Sequence, residues 1–349
     1  MKLQKLPCVV FRVISQLLDP TSLICLSFCS KNMKEKVKMN KYTVVNRYFT
    51  LDSTKIMQMF CLKFVNSSIP FYLSFGDPKK CIVRKFNRFN HTINGITYNF
   101  RIGLESMYVG KMSDVAVMFN LIEYTLNLFR TSLEGIRIES KFLSSIQQLA
   151  THPSVQTVRF VFVDGESLAA SKLFELFNNL NSPLLKAYVF APVQGEVDLV
   201  PSLFGAEQVF IKISRWVRKE HLLGSNSRFI LLRESNLKED VLISFVKQWL
   251  NGTDTRLETM LVYFPAVNKI DQERIRASLD GHPWNPEKRS QKFLVEASWS
   301  KEIVNGARAL WSDCEEGLDF ERNDGLLGTV IVSEQGRGFF FHVWHKRFH

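Results

Sequence analysis

His342 and His345, the acids Asp319, Glu321 and Asp324, and six cysteines at 8, 25, 29, 61, 81 and 314 are the side chains that could hold a metal, move a proton or attack a carbonyl. Their spacing argues against each use. Two histidines three residues apart on a strand point to opposite faces, and no cysteine lies near enough to complete a ligand set. The cysteines contain no C-x-x-C pair and fit reduced thiols. The acids surround Asn323-Asp324-Gly325, which reads first as a turn. H-E-x-x-H, the P-loop pattern, G-x-S-x-G and G-x-G-x-x-G do not occur in the sequence. No catalytic residue, metal or cofactor is therefore expected, and binding is the function left to explain.

Charge suggests one kind of binding. The net charge of +11 is concentrated at the start: residues 1–47 hold nine Lys or Arg against Asp19 and Glu35, or 9 − 2 = +7. Lys31, Lys34, Lys36, Lys38 and Lys41 crowd one short segment. Further on, Lys79 to His91 interleaves Lys79, Lys80, Arg84, Lys85 and Arg88 with Phe86 and Phe89 and contains no acid. Cations could meet phosphates while phenyl rings stack on bases, so a nucleic-acid-binding protein using Lys31–Lys41 and Lys79–His91 is the alternative reading. The same text also describes a solvated helix face and an edge strand guarded by cations. With 46% apolar and 23% charged residues the composition is that of a globular protein. No apolar run approaches the roughly 18 residues of a spanning helix, Arg12 interrupts the apolar stretch after Lys2 and Lys5, and an intracellular protein, cytoplasmic or nuclear, is expected.

The elements that would present a binding surface begin at once. Val10, Val13, Ile14 and Leu17 fall at i, i+3, i+4 and i+7 after Pro7, so one helix carries them as a stripe. Leu18-Asp19-Pro20 then breaks it: Asp19 can accept from the free N–H groups of the next turn and Pro20 suits a first helical position. A second helix runs from Pro20 to about Phe28 with Leu23 and Leu26. A third starts after Ser30 as N-cap, with Met33 and Val37 inward. Three short helices in about forty residues cannot bury such stripes among themselves and need a partner.

The string Leu6-Pro7, Leu18-Asp19-Pro20, Leu23, Leu26 and Ser30-Lys31 resembles an F-box of the style common in nematodes. Cys8 and Phe11 depart from the polar or acidic residues frequent there. The resemblance implies docking onto the Skp-type adaptor of a cullin-based SCF ubiquitin ligase. The implied contacts are Leu6, Pro7, Val10, Ile14, Leu17, Leu18, Asp19, Pro20, Leu23 and Leu26.

Downstream, residues 46–132 mix β-rich runs, Ile69 to Leu73 and Ile96 to Phe100, with turns at Gly76-Asp77-Pro78 and Asn94-Gly95, a pattern of hairpins. From residue 133 the pattern apolar-x-x-apolar-x-apolar recurs at Leu133/Ile136/Ile138, Val155/Val158/Phe160, Leu185/Tyr188/Phe190, Ala206/Val209/Ile211 and Leu257/Met260/Val262, and at Asn226/Phe229/Leu231 with a polar first member. Helical stripes at Phe142/Ile146/Leu149 and Val241 to Trp249 lie between some of them. Strand, turn and helix repeated in this way predict an α/β chain: an N-terminal three-helix F-box, then an irregular leucine-rich-repeat-like curved sheet, then a C-terminal β-hairpin ending in Phe339 to Trp344. Gln248 to Gly252, Asp319, Arg322, Asp324, Gly325, Phe341, Val343 and Trp344 resemble the type 2 F-box-associated domain. The expected division is 1–45 F-box, 46–132 β-rich linking region and 133–349 substrate domain. The expected function is a non-catalytic, substrate-recruiting adapter. Its partners would be a Skp-type adaptor, through that a cullin, and a protein target, with no membrane.

Overall fold

A computed structural model describes residues 5–51, 57–65, 70–76, 87–103, 106–110, 114–295, 310–333 and 335–348. It forms two compact units, Met1–Asp164 with Asn179–Ser182, and Gly165–Asn178 with Pro183–His349.

The first unit opens with α1 (Cys8–Gln16), α2 (Pro20–Cys29) and α3 (Lys31–Met39). The break is built as its residue types dictate. Asp19 Oδ1 accepts from the Ser22 N–H at 3.0 Å, Oδ2 accepts from the Ser22 hydroxyl at 2.5 Å, and Pro20 is the first helical residue. Ser30 Oγ accepts from the Met33 N–H at 3.1 Å and starts α3, whose Met33 and Val37 are buried. Strands β1 (Val44–Leu51), β2 (Met57–Phe64), β3 (Phe71–Gly76), β4 (Asn87–Ile93), β5 (Ile96–Ile102) and β6 (Ser106–Val109) follow. After them come helix α4 (Val115–Leu128), β7 (Gly135–Glu139), short helices α5 (Ile146–Ala150) and α6 (Pro153–Gln156), and β8 (Phe160–Asp164). The strand order in this unit is β8-β7-β1-β2-β3-β6-β5-β4. β1–β2, β2–β3 and β4–β5 are antiparallel neighbours; the last is the hairpin expected at Asn94 and Gly95, with φ +50° and +82° as a two-residue turn requires, whereas β3 pairs with β2 and β6 and not with β4. Asp77 and Pro78 of the other expected turn, and Ile69, lie outside the described residues.

Two features of this unit escape the sequence patterns. β3 pairs with β6, and β1 with β7, in parallel. Helix α4 carries buried residues on nearly every side, so it shows no one-sided stripe to detect. It lies between the sheet, where Phe119 meets Phe49 edge-on at 5.2 Å, and the N-terminal helices, where Tyr124 OH shares a 2.9 Å hydrogen bond with Ser27 Oγ.

The second unit contains β9 (Leu168–Ala169), α7 (Ala170–Asn178), β10 (Lys186–Val189), β11 (Val193–Gln194), α8 (Pro201–Phe204), β12 (Gln208–Ile211), α9 (Lys219–Leu223), β13 (Phe229–Leu232), α10 (Glu239–Asn251) and β14 (Thr259–Tyr263). It ends with α11 (Gln272–Ser278), β15 (His282–Pro283), β16 (Lys292–Val295), β17 (Leu310–Asp313), β18 (Leu318–Glu321), β19 (Leu327–Val332) and β20 (Gly338–Trp344). Its main sheet runs β15-β18-β19-β20-β14-β13-β12-β10. β10, β12, β13 and β14 are parallel, and the C-terminal strands add antiparallel beyond β14. Phe245 and Trp249 of α10 pack on Phe341, the register partner of Met260, so α10 covers the face that carries Met260 and Val262. The α/β class, the three opening helices, the leucine-rich-repeat-like succession and the terminal hairpin are those read from the sequence.

The register of three repeat units is not. Strand pairing aligns Ala187 with Val209, Val209 with Ile230 and Ile230 with Met260. The inward triads are therefore Leu184/Ala187/Val189 and Ser227/Ile230/Leu232, one residue from the sequence assignment, and Val158/Val161/Val163, three residues from it. Tyr188, Phe210, Phe229, Leu231 and Leu261 on the alternate positions are buried too. Strands apolar on both faces lose the alternation that fixes register, so several frames match the same text. Asp19→Ala should lower unfolding stability by about 1 kcal/mol through the lost cap, measured as a shift in the urea midpoint; an unchanged midpoint would mean that the break does not depend on this carboxylate.

Candidate protein-docking site

Helix α1 has two apolar faces. Phe11 is 1% exposed and points inward with Ser15, and the Lys36 ammonium lies 5.8 Å from its ring. Lys36 also donates to the Leu6 carbonyl at 2.9 Å, tying the start of α1 to α3. Outward, Val9, Val10, Val13 and Leu17 are 73%, 43%, 57% and 83% exposed. The stripe read from the sequence is therefore mostly the outer face, with Ile14 half-buried at its edge.

Of the residues that the F-box resemblance points to, Pro7 and Asp19 are exposed with Val10 and Leu17, while Leu6, Ile14, Leu18, Pro20 and Leu26 are half-buried. Leu23 is 2% exposed and belongs to the interior. Sequence reasoning left out Val9 and Phe11, which the helical period from Pro7 does place on opposite sides. Where α1 ends, a cleft of about 370 Å³ opens, lined by Leu17, Leu18, Pro20, Tyr42, Phe64 and Val65 among others. Asn40 stiffens its floor by donating to Ser15 Oγ at 2.6 Å and Tyr42 OH at 3.4 Å. The outward stripe of α1, apolar and standing on a short helix, has the chemistry of a protein-binding face, and the cleft beside it adds polar groups from Ser15, Gln16, Asp19, Lys41 and Thr43.

The basic segments offer less. Lys34 lies over the Tyr124 ring at 4.4 Å and Lys36 is engaged as above, leaving Lys31 and Lys41 exposed and Lys38 half-buried. Lys79 to Phe86 lie outside the described residues. Phe89 stacks on Phe100 at 5.2 Å and meets Phe28 at 6.1 Å, so this ring packs inside the unit.

The C-terminal motif residues Asp319, Arg322, Phe341, Val343 and Trp344 are buried, whereas Asp324 and Gly325 are exposed. Arg289 and Asp319 are both buried; Arg289 Nε donates to both Asp319 oxygens at 3.0 and 2.9 Å, and Nη2 to Oδ1 at 2.9 Å. The remaining guanidinium contacts go to the Cys314 and Ser290 carbonyls. Thr329 donates to Asp319 at 2.7 Å and accepts from Trp344 Nε1 at 2.8 Å. Arg322 binds Asp324, donates to the Asp254 carbonyl at 2.8 Å and covers the Trp249 ring at 4.9 Å. That pairing holds Asp324 down to about 2. Gly325, φ +85°, closes the expected turn. His342 is fully buried between Thr259 and Ser312 and stacks on Phe293 at 4.4 Å, whereas His345 turns to the Leu257 carbonyl. No group of three or more His, Cys, Asp or Glu that could hold a metal occurs among the described residues. Burial pushes the Cys25 and Cys61 thiols up to about 11 and Cys314 to about 12, so these three stay protonated at neutral pH.

Comparison with known proteins follows this geometry. A model described as F-box domain matches residues 3–44, the segment of α1 to α3, and one described as F-box associated matches residues 205–262, from β12 through β14. The chain carries an F-box domain and an F-box-associated domain. It is distantly related to two proteins of Caenorhabditis elegans, both described as uncharacterized. One is 25% identical over 99% of this chain and 78% of its own length, the other 23% identical over 98% and 79%. No solved structure matches. The F-box-associated match includes Gln248 to Gly252 but stops before Asp319 to Trp344, on which the resemblance also drew. The two segments meet through Arg322 on Trp249 and through β20 on β14. An F-box and its associated domain support a general F-box adapter role through protein–protein contacts. No described helix is long and apolar enough to cross a membrane.

Two outcomes test the buried C-terminal groups. Asp319→Ala leaves the Arg289 charge buried without its partner and should cost about 3–5 kcal/mol, read from chemical denaturation of the full chain. Burial, helped by Arg289, lowers His342 to about 3, whereas an unfolded histidine takes its proton near pH 6.5. The neutral native ring therefore contributes fully above about pH 6.5, and stability falls as pH drops below it, by about 2 kcal/mol at pH 5. His152 and His221 shift in the same direction, so the comparison of wild type with His342→Gln at pH 7 and pH 5 isolates this ring. Equal pH dependence of the two proteins would rule out its contribution.

Proposed function

We propose that this chain is the substrate-recruiting adapter subunit of an SCF-type cullin ubiquitin ligase. α1 and the α1–α2 break dock a Skp-type adaptor, and residues 133–349 present the target, with 46–132 linking them. The observation that carries the reading is the outward stripe Val9, Val10, Val13 and Leu17 on a helix inside the F-box match. The F-box resemblance adds Leu6, Pro7, Ile14, Leu18, Asp19, Pro20 and Leu26, exposed or half-buried, and the buried Leu23. Fully burying each exposed Val or Leu is worth about 1.5–3 kcal/mol, enough for a helical clamp to be affinity-dominant. The five described cysteines are free, which suits a reducing intracellular site of action. Catalysis belongs to other subunits, and this one supplies proximity.

Two sets of substitutions test the docking face. Val10→Asp with Leu17→Asp alters only exposed positions, so it should abolish capture of the Skp-type adaptor while leaving the thermal midpoint unchanged. Leu6→Ala with Pro7→Ala should weaken capture by about thirtyfold, equivalent to ~2 kcal/mol. Capture at wild-type affinity by both variants, in a pull-down with purified adaptor, would falsify the assignment. Point variants are preferred to deletion of residues 1–45, because α2 and α3 complete the packing around Tyr124 and Phe100.

A further inference from the structure

Arg228 and Arg233 stand at opposite ends of one strand, β13, between the same two neighbours, β12 and β14. Their surroundings differ. At the amino end Arg228 is flanked by acids: Glu207 from beside β12 at 3.4 Å and Glu258 from beside β14. At the carboxyl end Arg233 is flanked by rings, its guanidinium 5.8 Å from Phe210 of β12 and 5.8 Å from Tyr263 of β14. It is half-buried and makes no ion pair or side-chain hydrogen bond with any described residue. The nearby Glu234 is taken by Arg215 at 2.7 Å.

The ladder places a second cation next to it. Lys212 N–H donates to the Val189 carbonyl and Arg233 N–H to the Ile211 carbonyl, so Phe190, Lys212, Arg233 and Tyr263 succeed one another across the carboxyl ends of β10, β12, β13 and β14. Lys212 is exposed and also makes no ion pair with a described residue. Phe190 meets Phe210 edge-on at 5.1 Å, and Phe340 meets Tyr263 at 5.3 Å; both rings are half-buried. The row lies on the face opposite α10, since Phe340 alternates with Phe341 on β20.

An arginine whose work is structural receives carboxylates, as Arg228 does. One held between two rings keeps its charge, has its rotamers restricted, and leaves its N–H edge free for an oxygen anion. A second unpaired cation beside it raises the local positive potential, and half-buried rings on either side suit apolar residues flanking that anion. We propose that the carboxyl ends of β10, β12, β13 and β14 form a recognition site for an acidic peptide segment, a carboxylate side chain binding Arg233 and Lys212 and neighbouring apolar side chains resting on Phe190, Tyr263 and Phe340. The site rests on the adapter reading, in which it would receive the target.

The experiment uses the full chain. A random peptide library displayed on phage is panned on wild type and on Arg233→Gln with Lys212→Gln. Peptides selected by wild type should be enriched in Asp and Glu beside aromatic or aliphatic residues, and the variant should lose that enrichment. A leading sequence is then synthesised with Glu, Gln or phosphoserine at its acidic position. The Glu peptide should bind about tenfold more tightly than the Gln peptide and lose affinity as salt is raised, and Arg233→Lys should retain part of the binding. Equal binding of Glu and Gln peptides, or equal selections by wild type and variant, overturns the site. A phosphoserine peptide that binds when the Glu peptide does not overturns the carboxylate assignment. Adaptor capture is scored in parallel and should be unchanged in the Arg233/Lys212 variant, so failure of this site and failure of the docking face on α1 are read separately.

Discussion

The exposed apolar face of α1 exists because α2 spends its apolar surface on the rest of its own unit. Ser27 bonds Tyr124 of α4, and Phe28 enters a ring cluster with Phe89, His91, Phe100 and Tyr124, 4.3 to 6.1 Å between centroids. α3 adds Lys34 above Tyr124. With α2 and α3 committed in this way, α1 reaches the interior through Phe11, Ser15 and the flank of Ile14, and its valines and Leu17 remain largely exposed. The Asp19–Pro20 break keeps α1 a separate short rod. A continuous helix through this point would carry the stripe around its axis and divide it.

The second unit is organised by a different constraint, the desolvation of charge. Arg289 and Asp319 are removed from water, which is costly unless every donor and lone pair is answered. Cys314 and Ser290 carbonyls, Thr329 and Trp344 supply those answers and draw β18, β19 and β20 into one arrangement. His342 shares that enclosure as a neutral ring. The acids and histidines that looked most chemical in the sequence have partners of other kinds: Asp319, Glu321 and Asp324 pair with arginines, His342 sits between two hydroxyls and His345 turns to a backbone carbonyl. At the carboxyl ends of β12 and β13, Lys212 and Arg233 emerge among rings with no ion pair to a described residue.

Much of this was legible in the residues. Asp19, Pro20 and Ser30 announced the helix boundaries because capping is local chemistry. Asn94-Gly95 announced a hairpin, and the repeated apolar triads announced β/α units. The sequence on its own could not choose the frame of strands apolar on both faces, detect α4 without a polar side, or say which of two apolar faces of α1 would turn inward. It also could not distinguish Arg228 from Arg233, five residues apart at the two ends of β13. Local residue types determined where the elements begin and end. Only the tertiary structure decided which surfaces stay open, because burial is a competition among segments distant in sequence, and the face that loses it is what remains for a partner.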